Sequence, residues 1–372
     1  MSDFIPVNEP LLDGNEKKYL LDCIETGWIS SEGPYVDRLE REFAAQVGRR
    51  HGIAVCNGSA ALEIAFAALG IGPGDEVILP TMTIISCINP IVRAGAHPVL
   101  VDAEASTWNM DVAQLEGKIT PRTRAILAVH TYGLPVDMEP VMALAARHGL
   151  AVVEDAAEAI GQTYKGAPCG GFGALSIFSF YPNKHVTTGE GGMVVTNDAS
   201  LAERCRSLRN LCFQPERRFV HDQLGWNFRL TNLQAALGVA QLERLERHVA
   251  RKREIGERYT ALLSDLDALQ LPITATEYAR NIYWIYGLVL DDAVPDDAMQ
   301  LMAKLAERKI GTRPFFWPMH EQPVLRRMGL FKDECYPVAE RLARRGFYIP
   351  SGLALRNDQI ETVASQLRVL LA

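Results

Sequence analysis

Lys184 lies where a lysine is unusual, between two apolar segments of "FSFYPNKHVTTGEGGMVV" (residues 178–195). The aromatic start and the "GMVV" end indicate two short strands that are joined by a Gly-containing turn. A lysine shielded from water has a depressed pKa, and its uncharged amine can form a Schiff base with an aldehyde. This pattern therefore predicts a nucleophilic lysine, and an unusual structural lysine is the alternative.

Asp155 ends a second apolar run, "LAVVED". A carboxylate buried at the end of a strand needs a cationic partner or several hydrogen-bond donors. A protonated ring nitrogen is one such partner. A salt bridge, or a cap on the following helix, is the structural alternative.

Asn57, Gly58 and Ser59 open the helical pattern "NGSAALEIA" directly after an apolar strand. Free backbone N–H groups and the helix dipole suit a phosphate there, although a plain helix N-cap explains the same residues. An aldehyde cofactor with a phosphate and a pyridine nitrogen would use all three features together. Pyridoxal 5′-phosphate (PLP) is that molecule.

A nucleotide phosphate loop is the competing interpretation of "TTGEGG". The segment lacks the order G-x-x-x-x-G-K-[ST], and no G-x-G-x-x-G opens the first helix. Both absences disfavour a kinase and a NAD enzyme.

The surrounding pattern predicts how these residues are positioned. From about residue 50 to 200, near-continuous apolar strands alternate with helical patterns, which is typical of a mostly parallel sheet covered on both faces. Ligands bind such sheets at the carboxyl ends of the strands, so the three features should meet at one edge. A shift from apolar to charged residues near 245 predicts a large cofactor-binding domain (1–245) and a smaller α+β C-terminal domain (246–372).

Composition excludes several classes of function. The 372 residues carry a formal net charge of −7, which disfavours a nucleic-acid partner. Seven scattered cysteines without a C-x-x-C pair indicate neither a zinc site nor a disulfide framework. No apolar stretch approaches the ~20 residues of a membrane span, and the first residues do not resemble a signal peptide. We expect a cytoplasmic protein with no metal and no membrane partner.

Six stretches resemble the DegT/DnrJ/EryC1/StrS sugar aminotransferases. They are "LDGNEKKYLLDCIETGWISSEGPYVDRLEREFA", "NGSAALEIAFAALGIGPGDEVILP", "EDAAEAIG", "FSFYPNKHVTTGEGGMVVTND", "NFRLTNLQAALGVAQLERL" and "RPFFWPMH". The resemblance covers essentially the whole chain. It implies the fold type I of PLP-dependent transferases, which is aspartate aminotransferase-like. Within the family, "DAAEA", "GEGGMVVTND" and "RPFFWPMH" most resemble the 4-aminotransferases of GDP-4-keto-6-deoxymannose.

The resemblance also implies roles for individual residues. Lys184 would be the Schiff-base lysine and Asp155 the partner of the pyridine nitrogen. Glu158, at a position that is often Gln in relatives, would lie by the ring hydroxyl of the cofactor. The implied phosphate contacts are Gly58, Ser59, Ser179 and, from the neighbouring subunit, Asn227. That last contact implies a homodimer with shared active sites.

The candidate substrate contacts are Ile84, His185, Arg217, Arg218, Arg229, Arg313 and His320. Relatives usually place an aromatic residue where this chain has Ile84, and this departure bears on the substrate more than on the chemistry. His185 follows the lysine directly and is interpreted mainly as structural. Arg217 and Arg218 suit the diphosphate of a nucleotide sugar, although a solvated loop explains the arginines of 209–229 equally well.

The expected function is a PLP-dependent aminotransferase that acts on a nucleotide-linked 4-keto-6-deoxyhexose, with GDP-4-keto-6-deoxymannose as the favoured substrate. The resemblance implies glutamate as amino donor and a role in surface polysaccharide or O-antigen synthesis. Two alternatives stay open: a PLP-dependent nucleotide-sugar dehydratase, and a non-catalytic PLP-binding regulator of the same fold.

Overall fold

The computed structural model describes residues 4–214 and 216–371. Short apolar runs bounded by Gly, Pro and Asp form the strands of the first two hundred residues, as the sequence predicts. These strands are β1 His51–Val55, β2 Glu76–Pro80, β3 His97–Val101, β4 Thr123–Val129, β5 Ala151–Asp155, β6 Thr163–Tyr164, β7 Ala167–Pro168, β8 Leu175–Ser179 and β9 Gly192–Thr196.

Seven of these strands form one sheet in the order β1-β9-β8-β5-β4-β2-β3. Strand β9 pairs antiparallel with both of its neighbours, and the other neighbouring strands pair in parallel. Strand β2 is buried along its whole length, because helices cover both faces of the sheet. The predicted α/β class with a mostly parallel sheet is confirmed.

Helices cover the sheet and continue into the C-terminal part. They are α1 Glu16–Thr26, α2 Pro34–Gln46, α3 Gly58–Leu69, α4 Asn89–Arg93, α5 Leu115–Lys118, α6 Met138–His148, α7 Ala199–Arg209, α8 Asn232–Leu242, α9 Leu245–Leu263, α10 Ala298–Glu307, α11 Pro323–Arg327, α12 Pro337–Arg345 and α13 Asn357–Leu371. Apolar residues of α3 and α7 pack in the core on one face of the sheet, and those of α2, α6 and α8 pack on the other.

The C-terminal part contains a second, antiparallel sheet. Its strands are β10 Leu269–Gln270, β11 Tyr286–Leu290, β12 Arg313–Pro314 and β13 Gly346–Ile349, in the order β10-β11-β13-β12. Helices α9, α10 and α13 pack with this sheet around a third core, which Ile5 joins from the N-terminal segment. Strand β13 places Tyr348 opposite Arg313.

The helical pattern after residue 230 forms two helices, the apolar α8 and the charged α9. Leu245 and Val249 at the start of α9 pack in a core of the large sheet, whereas Tyr259 and Leu263 pack in the core of the small sheet. Helix α9 therefore joins both parts, and the domain boundary at residue 245 stays a prediction. In the described part of the chain, no helix combines the length and apolar character needed to cross a membrane.

Candidate active site

Lys184 lies in the loop between β8 and β9, at the carboxyl edge of the sheet. Its backbone N–H donates to the carbonyl of Tyr181 (2.9 Å), which closes a turn. The side chain is only 9% exposed, and its Nζ lies 3.7 Å from Glu158 Oε1 and 3.7 Å from the ring centre of Trp284. Burial lowers the pKa of this lysine, although the Glu158 carboxylate opposes the shift. The loop thus holds an amine that is easier to deprotonate than an exposed lysine.

Asp155 ends strand β5, two strands away from β9. Its Oδ1 accepts from the backbone N–H of Ala157 (3.0 Å), and its Oδ2 accepts from the thiol of Cys87 (3.4 Å). Burial raises the pKa of Asp155, and these donors and Lys184 lower it. Because a buried carboxylate with few donors favours a cation nearby, a protonated ring nitrogen would stabilise it.

Glu158 follows Asp155 by three residues and is 7% exposed. Its Oε2 accepts from the backbone N–H of Tyr132 (2.9 Å), while its Oε1 faces Lys184. Burial raises the pKa of Glu158, and Lys184 counters that rise. Two carboxylates and one ammonium therefore share a small buried volume.

The start of α3 forms the opposite side of the site. Asn57 caps this helix, since its side-chain oxygen accepts from the N–H of Ala60 (2.8 Å). Gly58 packs against Ser179 so closely that an added Cβ would lie 2.8 Å from the serine Cβ. The hydroxyl of Ser59 donates to Ser86 Oγ (2.7 Å). A helix N-terminus with two serine hydroxyls and no side chain at position 58 is suited to a phosphate group.

These elements enclose one cavity of about 490 Å³. Parallel strands β1, β5 and β8 end at the same edge of the sheet, which explains why residues far apart in sequence meet there. The predicted site residues that line the cavity are Gly58, Ser59, Ile84, Asp155, Glu158, Ser179 and Lys184.

Both histidine candidates lie outside the cavity lining and are buried. The ring of His185 faces the carbonyl of Ile282 (3.4 Å), as expected for a structural residue on the other side of the loop. His320 contacts the hydroxyl of Thr81 (2.9 Å) and the carboxylate of Glu340 (3.0 Å). Within this chain, the structure does not bring either imidazole to the cavity, and their substrate roles stay predictions.

The arginine candidates and Asn227 are not among the residues that line the cavity. Arg217 and Arg218 are exposed, and Arg218 lies 5.1 Å from the ring of Phe213. Arg229 donates to the side chain of Asn210 (2.6 Å). Asn227 is exposed.

Arg313 is also exposed. It lies opposite Tyr348 in the pairing of β12 with β13, and Tyr348 lines the cavity. Strand pairing therefore places Arg313 next to a lining residue.

Four residues near the cavity were not identified from the sequence: Trp284, Cys87, Tyr132 and Lys252. The indole of Trp284 lies under Lys184, and its Nε1 donates to the carbonyl of Asn183 (2.9 Å). Lys252 is 1% exposed and donates to the carbonyls of Trp284 (2.8 Å) and Ser351 (2.6 Å). Of these four, only Lys252 could have been found from the sequence, because it lies at helical spacing with the apolar Ile255 and Tyr259 on the buried side of α9.

Two clusters of the described residues have side chains close enough to hold a metal ion, and the more deeply buried one is His130, Glu154 and Cys169. Glu154 already accepts from Ser176 Oγ (2.8 Å) and from the backbone N–H groups of Gly170 and Phe172. Its oxygens are therefore occupied by protein donors. The expectation that the protein needs no metal stays a prediction.

The residues in the cavity fit pyridoxal phosphate. Lys184 offers an amine to the aldehyde, and Asp155 offers a carboxylate to the ring nitrogen. The α3 terminus offers N–H groups and hydroxyls to the phosphate. A Cβ at position 58 would lie 2.8 Å from the Cβ of Ser179, so this turn of α3 fits glycine and no larger residue without a shift.

Comparison with known proteins agrees with this geometry. The model of the DegT/DnrJ/EryC1/StrS aminotransferase family matches residues 10–368. GDP-perosamine synthase of Escherichia coli O157:H7 is 42% identical over 96% of each chain, and that of Caulobacter vibrioides is 42% identical over 100% of each. The solved structure of S. venezuelae DesV with a ketimine intermediate is 34% identical, has a TM-score of 0.88, and aligns over 96% of this chain and 94% of that one. The chain belongs to the DegT/DnrJ/EryC1/StrS aminotransferase family.

Proposed function

We propose that the protein is a PLP-dependent aminotransferase that converts GDP-4-keto-6-deoxymannose, a nucleotide-linked 4-keto-6-deoxyhexose, to the 4-amino sugar. The observation that carries this proposal is the 42% identity to GDP-perosamine synthases along the whole chain. Glutamate is the proposed amino donor. The product would serve surface polysaccharide or O-antigen synthesis, and the reaction would take place in the cytoplasm.

Lys184 has two tasks in this reaction. When bound, pyridoxal phosphate supplies an aldehyde that bonds to a primary amine and a ring that withdraws electrons from the reacting carbon. Lys184 would hold the cofactor through its primary amine. Its Nζ would also accept and return the proton that moves during the transfer.

The carboxylate of Asp155 would stabilise the positive charge of a protonated ring nitrogen. Its two oxygens are held by the N–H of Ala157 and the thiol of Cys87, so the carboxylate has a fixed orientation at the end of β5. A protonated ring nitrogen placed there is stabilised by a buried negative charge that water does not screen.

The remaining cavity residues orient and shield the reacting groups. The N-terminus of α3, with Ser59 and Ser179, would hold the phosphate and so fix the aldehyde beside Lys184. Phe316 and Tyr348 line the side of the cavity that belongs to the small sheet, and Trp284 covers the lysine from below. These aromatic rings exclude water from the amine.

The dehydratase alternative is disfavoured because Lys184 is retained. A family branch that eliminates water has a histidine in place of the lysine, whereas here the histidine is the next residue and its ring lies outside the cavity lining. The regulator alternative is disfavoured because a binding module has no need of a buried nucleophile beside a buried carboxylate pair.

We infer a homodimer with shared active sites. Ile84 and Tyr181 at the cavity are 45% and 49% exposed, and Leu224, near Asn227 in sequence, is 93% exposed. Large apolar side chains that are exposed around a cavity are typical of a surface that a second chain covers. Asn227, exposed in one chain, would then contact the phosphate in the cavity of the partner.

Mixing two inactive variants tests this shared site. A Lys184→Ala chain and an Asn227→Asp chain should together recover activity, because one site of each heterodimer has both native residues. Random exchange of subunits predicts recovery of about a quarter of wild-type sites. Turnover of the mixture, with heterodimers demonstrated by differently tagged chains, is the measurement. Heterodimers without activity would place Asn227 in the site of its own chain or in none.

The reaction itself is tested by turnover with a panel of keto sugars that carry GDP, dTDP or UDP, with the product located by NMR. We expect a 4-amino product from GDP-4-keto-6-deoxymannose. Glutamate alone should remove the near-visible absorption of the loaded enzyme. A 3-deoxy product would support the dehydratase, and an unchanged spectrum would support the regulator.

A further inference from the structure

Lys184 has an unusual set of contacts for an ammonium group. Its Nζ has one carboxylate within salt-bridge distance in the described part of the chain, Glu158 Oε1 at 3.7 Å. That separation exceeds the usual hydrogen-bond length of roughly 2.7–3.2 Å. The carboxylate thus attracts the ammonium without a hydrogen bond, and the aromatic face of Trp284 is the other neighbour.

The two carboxylates near Lys184 differ in how their oxygens are used. Both oxygens of Asp155 accept hydrogen bonds, from the N–H of Ala157 and from the thiol of Cys87. Only one oxygen of Glu158 does, from the N–H of Tyr132, and the other faces the lysine. Glu158 therefore has the free oxygen that can take up a proton, while Asp155 is held as an acceptor.

We propose that Glu158 is the proton acceptor of Lys184: its carboxylate takes one proton from the lysine ammonium and leaves the uncharged amine that bonds to an aldehyde. The transfer makes the Nζ a neutral amine and Glu158 a neutral carboxylic acid, so the total charge of the pair is unchanged. Closing the 3.7 Å gap to hydrogen-bond length is a small movement of the kind that catalytic pairs make when a ligand binds.

This step resolves a conflict in the site. Once Lys184 is uncharged, an anionic Glu158 would be a buried carboxylate beside a second one, Asp155, with no ammonium between them. Such a pair is costly unless one member is protonated. A proton that moves from Lys184 to Glu158 removes both unfavourable charges in one step. The two carboxylates then have different tasks, with Asp155 charged and Glu158 neutral.

The other ionisable groups that face the pair leave this assignment intact. They are Asp155 on β5, Cys87 before α4, Tyr132 after β4, Tyr348 on β13, His185 in the loop and Lys252 on α9. Burial raises the pKa of Cys87, Tyr132 and Tyr348 and lowers that of His185, so these four are uncharged near neutral pH. Asp155 remains as a charged neighbour, and Lys252 carries only part of a charge at neutral pH, because burial lowers its pKa to about 7.

The inference rests on the proposed function for its meaning, but it can be tested on the protein without cofactor or substrate. Trace acetylation from pH 6 to 10, read by peptide mass spectrometry, gives the pH midpoint at which Lys184 becomes reactive. The exposed Lys332 serves as the internal standard. The variants are Glu158→Gln, which keeps the shape and the acceptor for Tyr132, and Glu340→Gln, whose carboxylate contacts His320 outside the cavity lining.

Glu158→Gln should lower the midpoint of Lys184, because the carboxylate that favours the ammonium is gone and burial remains. The expected shift is about 1–3 pH units. Glu340→Gln should leave the midpoint unchanged. An unchanged midpoint in folded Glu158→Gln would overturn the proposal, since the two groups would then not share a proton.

A second measurement keeps the proposal testable if Glu158→Gln does not fold. Infrared difference spectra of the wild type, before and after pyridoxal phosphate is added, should show a new protonated-carboxyl band. Asp155→Asn should retain this band, which would assign it to the other carboxylate of the site, Glu158. Absence of the band in the wild type would overturn the proposal. Both measurements are independent of the sugar, so a failed turnover assay with a shifted midpoint would disprove the substrate and leave the proton transfer standing.

Discussion

Two buried lysines contact the same tryptophan, Trp284, through different groups. Lys184 contacts the ring face of Trp284, and Lys252 donates to the backbone carbonyl of the same residue. Burial lowers the pKa of both, that of Lys252 to about 7. Yet Lys252 has two good acceptors, Trp284 and Ser351, whereas Lys184 has one distant carboxylate and an open cavity.

The difference shows that burial alone does not make a lysine a nucleophile. Both ammonium groups lost water, but Lys252 exchanged it for carbonyl acceptors and is sealed inside the protein. Lys184 was left with unfilled hydrogen-bonding capacity facing a cavity that can admit an aldehyde. Lys252 instead joins α9, the segment before β11 and the segment after β13, and so holds Trp284 in place beneath Lys184.

The largest loss of activity is expected when Lys184 is replaced. Lys184→Ala should lower turnover by roughly 10⁴-fold or more, because no other amine in the cavity can replace it. Pyridoxal phosphate should still bind, since Asp155 and the α3 terminus are intact. Steady-state turnover and equilibrium dialysis of the cofactor are the measurements.

Lys184→Arg is the matched variant, since a guanidinium stays charged and forms no bond to the aldehyde. It should be as inactive as Lys184→Ala. Activity in either variant would refute the assignment of Lys184.

The next effect is expected at Asp155. Asp155→Asn keeps the shape of the side chain but removes the negative charge that stabilises a protonated ring nitrogen, so turnover should fall by about 10²–10³-fold. Thermal unfolding should change little, because the amide oxygen can still accept from Ala157. A variant as active as the wild type would mean that another group stabilises the ring charge.

The contrast between the lysines also explains what could be predicted from the sequence. Lys184, Asp155 and Gly58 lie at or just after the ends of strands in one mostly parallel sheet. Local sequence patterns identify these strands, and the carboxyl ends of parallel strands lie at the same edge of a sheet, so the three residues could be placed together. Trp284 comes to the site only through the packing of the small part against the large one. Its segment, "IYWIYGLVL", predicts a strand but not which lysine it contacts.

The burial of Lys252 in the charged helix α9 was not predicted from the sequence, for a physical reason. Most lysines in such a heavily charged helix are solvated. The buried side of α9 nevertheless includes Lys252, Ile255 and Tyr259, three or four residues apart. The helical spacing of these three residues is visible in the sequence. The carbonyls of Trp284 and Ser351, which accept hydrogen bonds from Lys252 and make its burial tolerable, are brought there only by the tertiary structure.

Lys252→Met is expected to have the smallest effect on catalysis, about tenfold or less, because Lys252 acts only through the position of Trp284. It should change how stability depends on pH. The pKa of Lys252 is about 7 in the folded protein, against ~10.4 in an unfolded chain. Between these pH values the unfolded chain binds a proton that folded Lys252 does not, so this lysine makes the free energy of unfolding rise with pH.

Replacing Lys252 by Met should remove that rise. The difference in unfolding free energy between wild type and Lys252→Met should therefore grow in favour of the wild type by about 2 kcal/mol from pH 7 to 9. Urea unfolding at several pH values and one fixed protein concentration measures it, and Lys332→Met gives the baseline for loss of an exposed lysine. A pH-independent difference would mean that Lys252 keeps its proton throughout, held by the carbonyls of Trp284 and Ser351. The two lysines would then differ in protonation as well as in their access to the cavity. Such a result would support the view that carbonyl acceptors distinguish the structural Lys252 from the reactive Lys184.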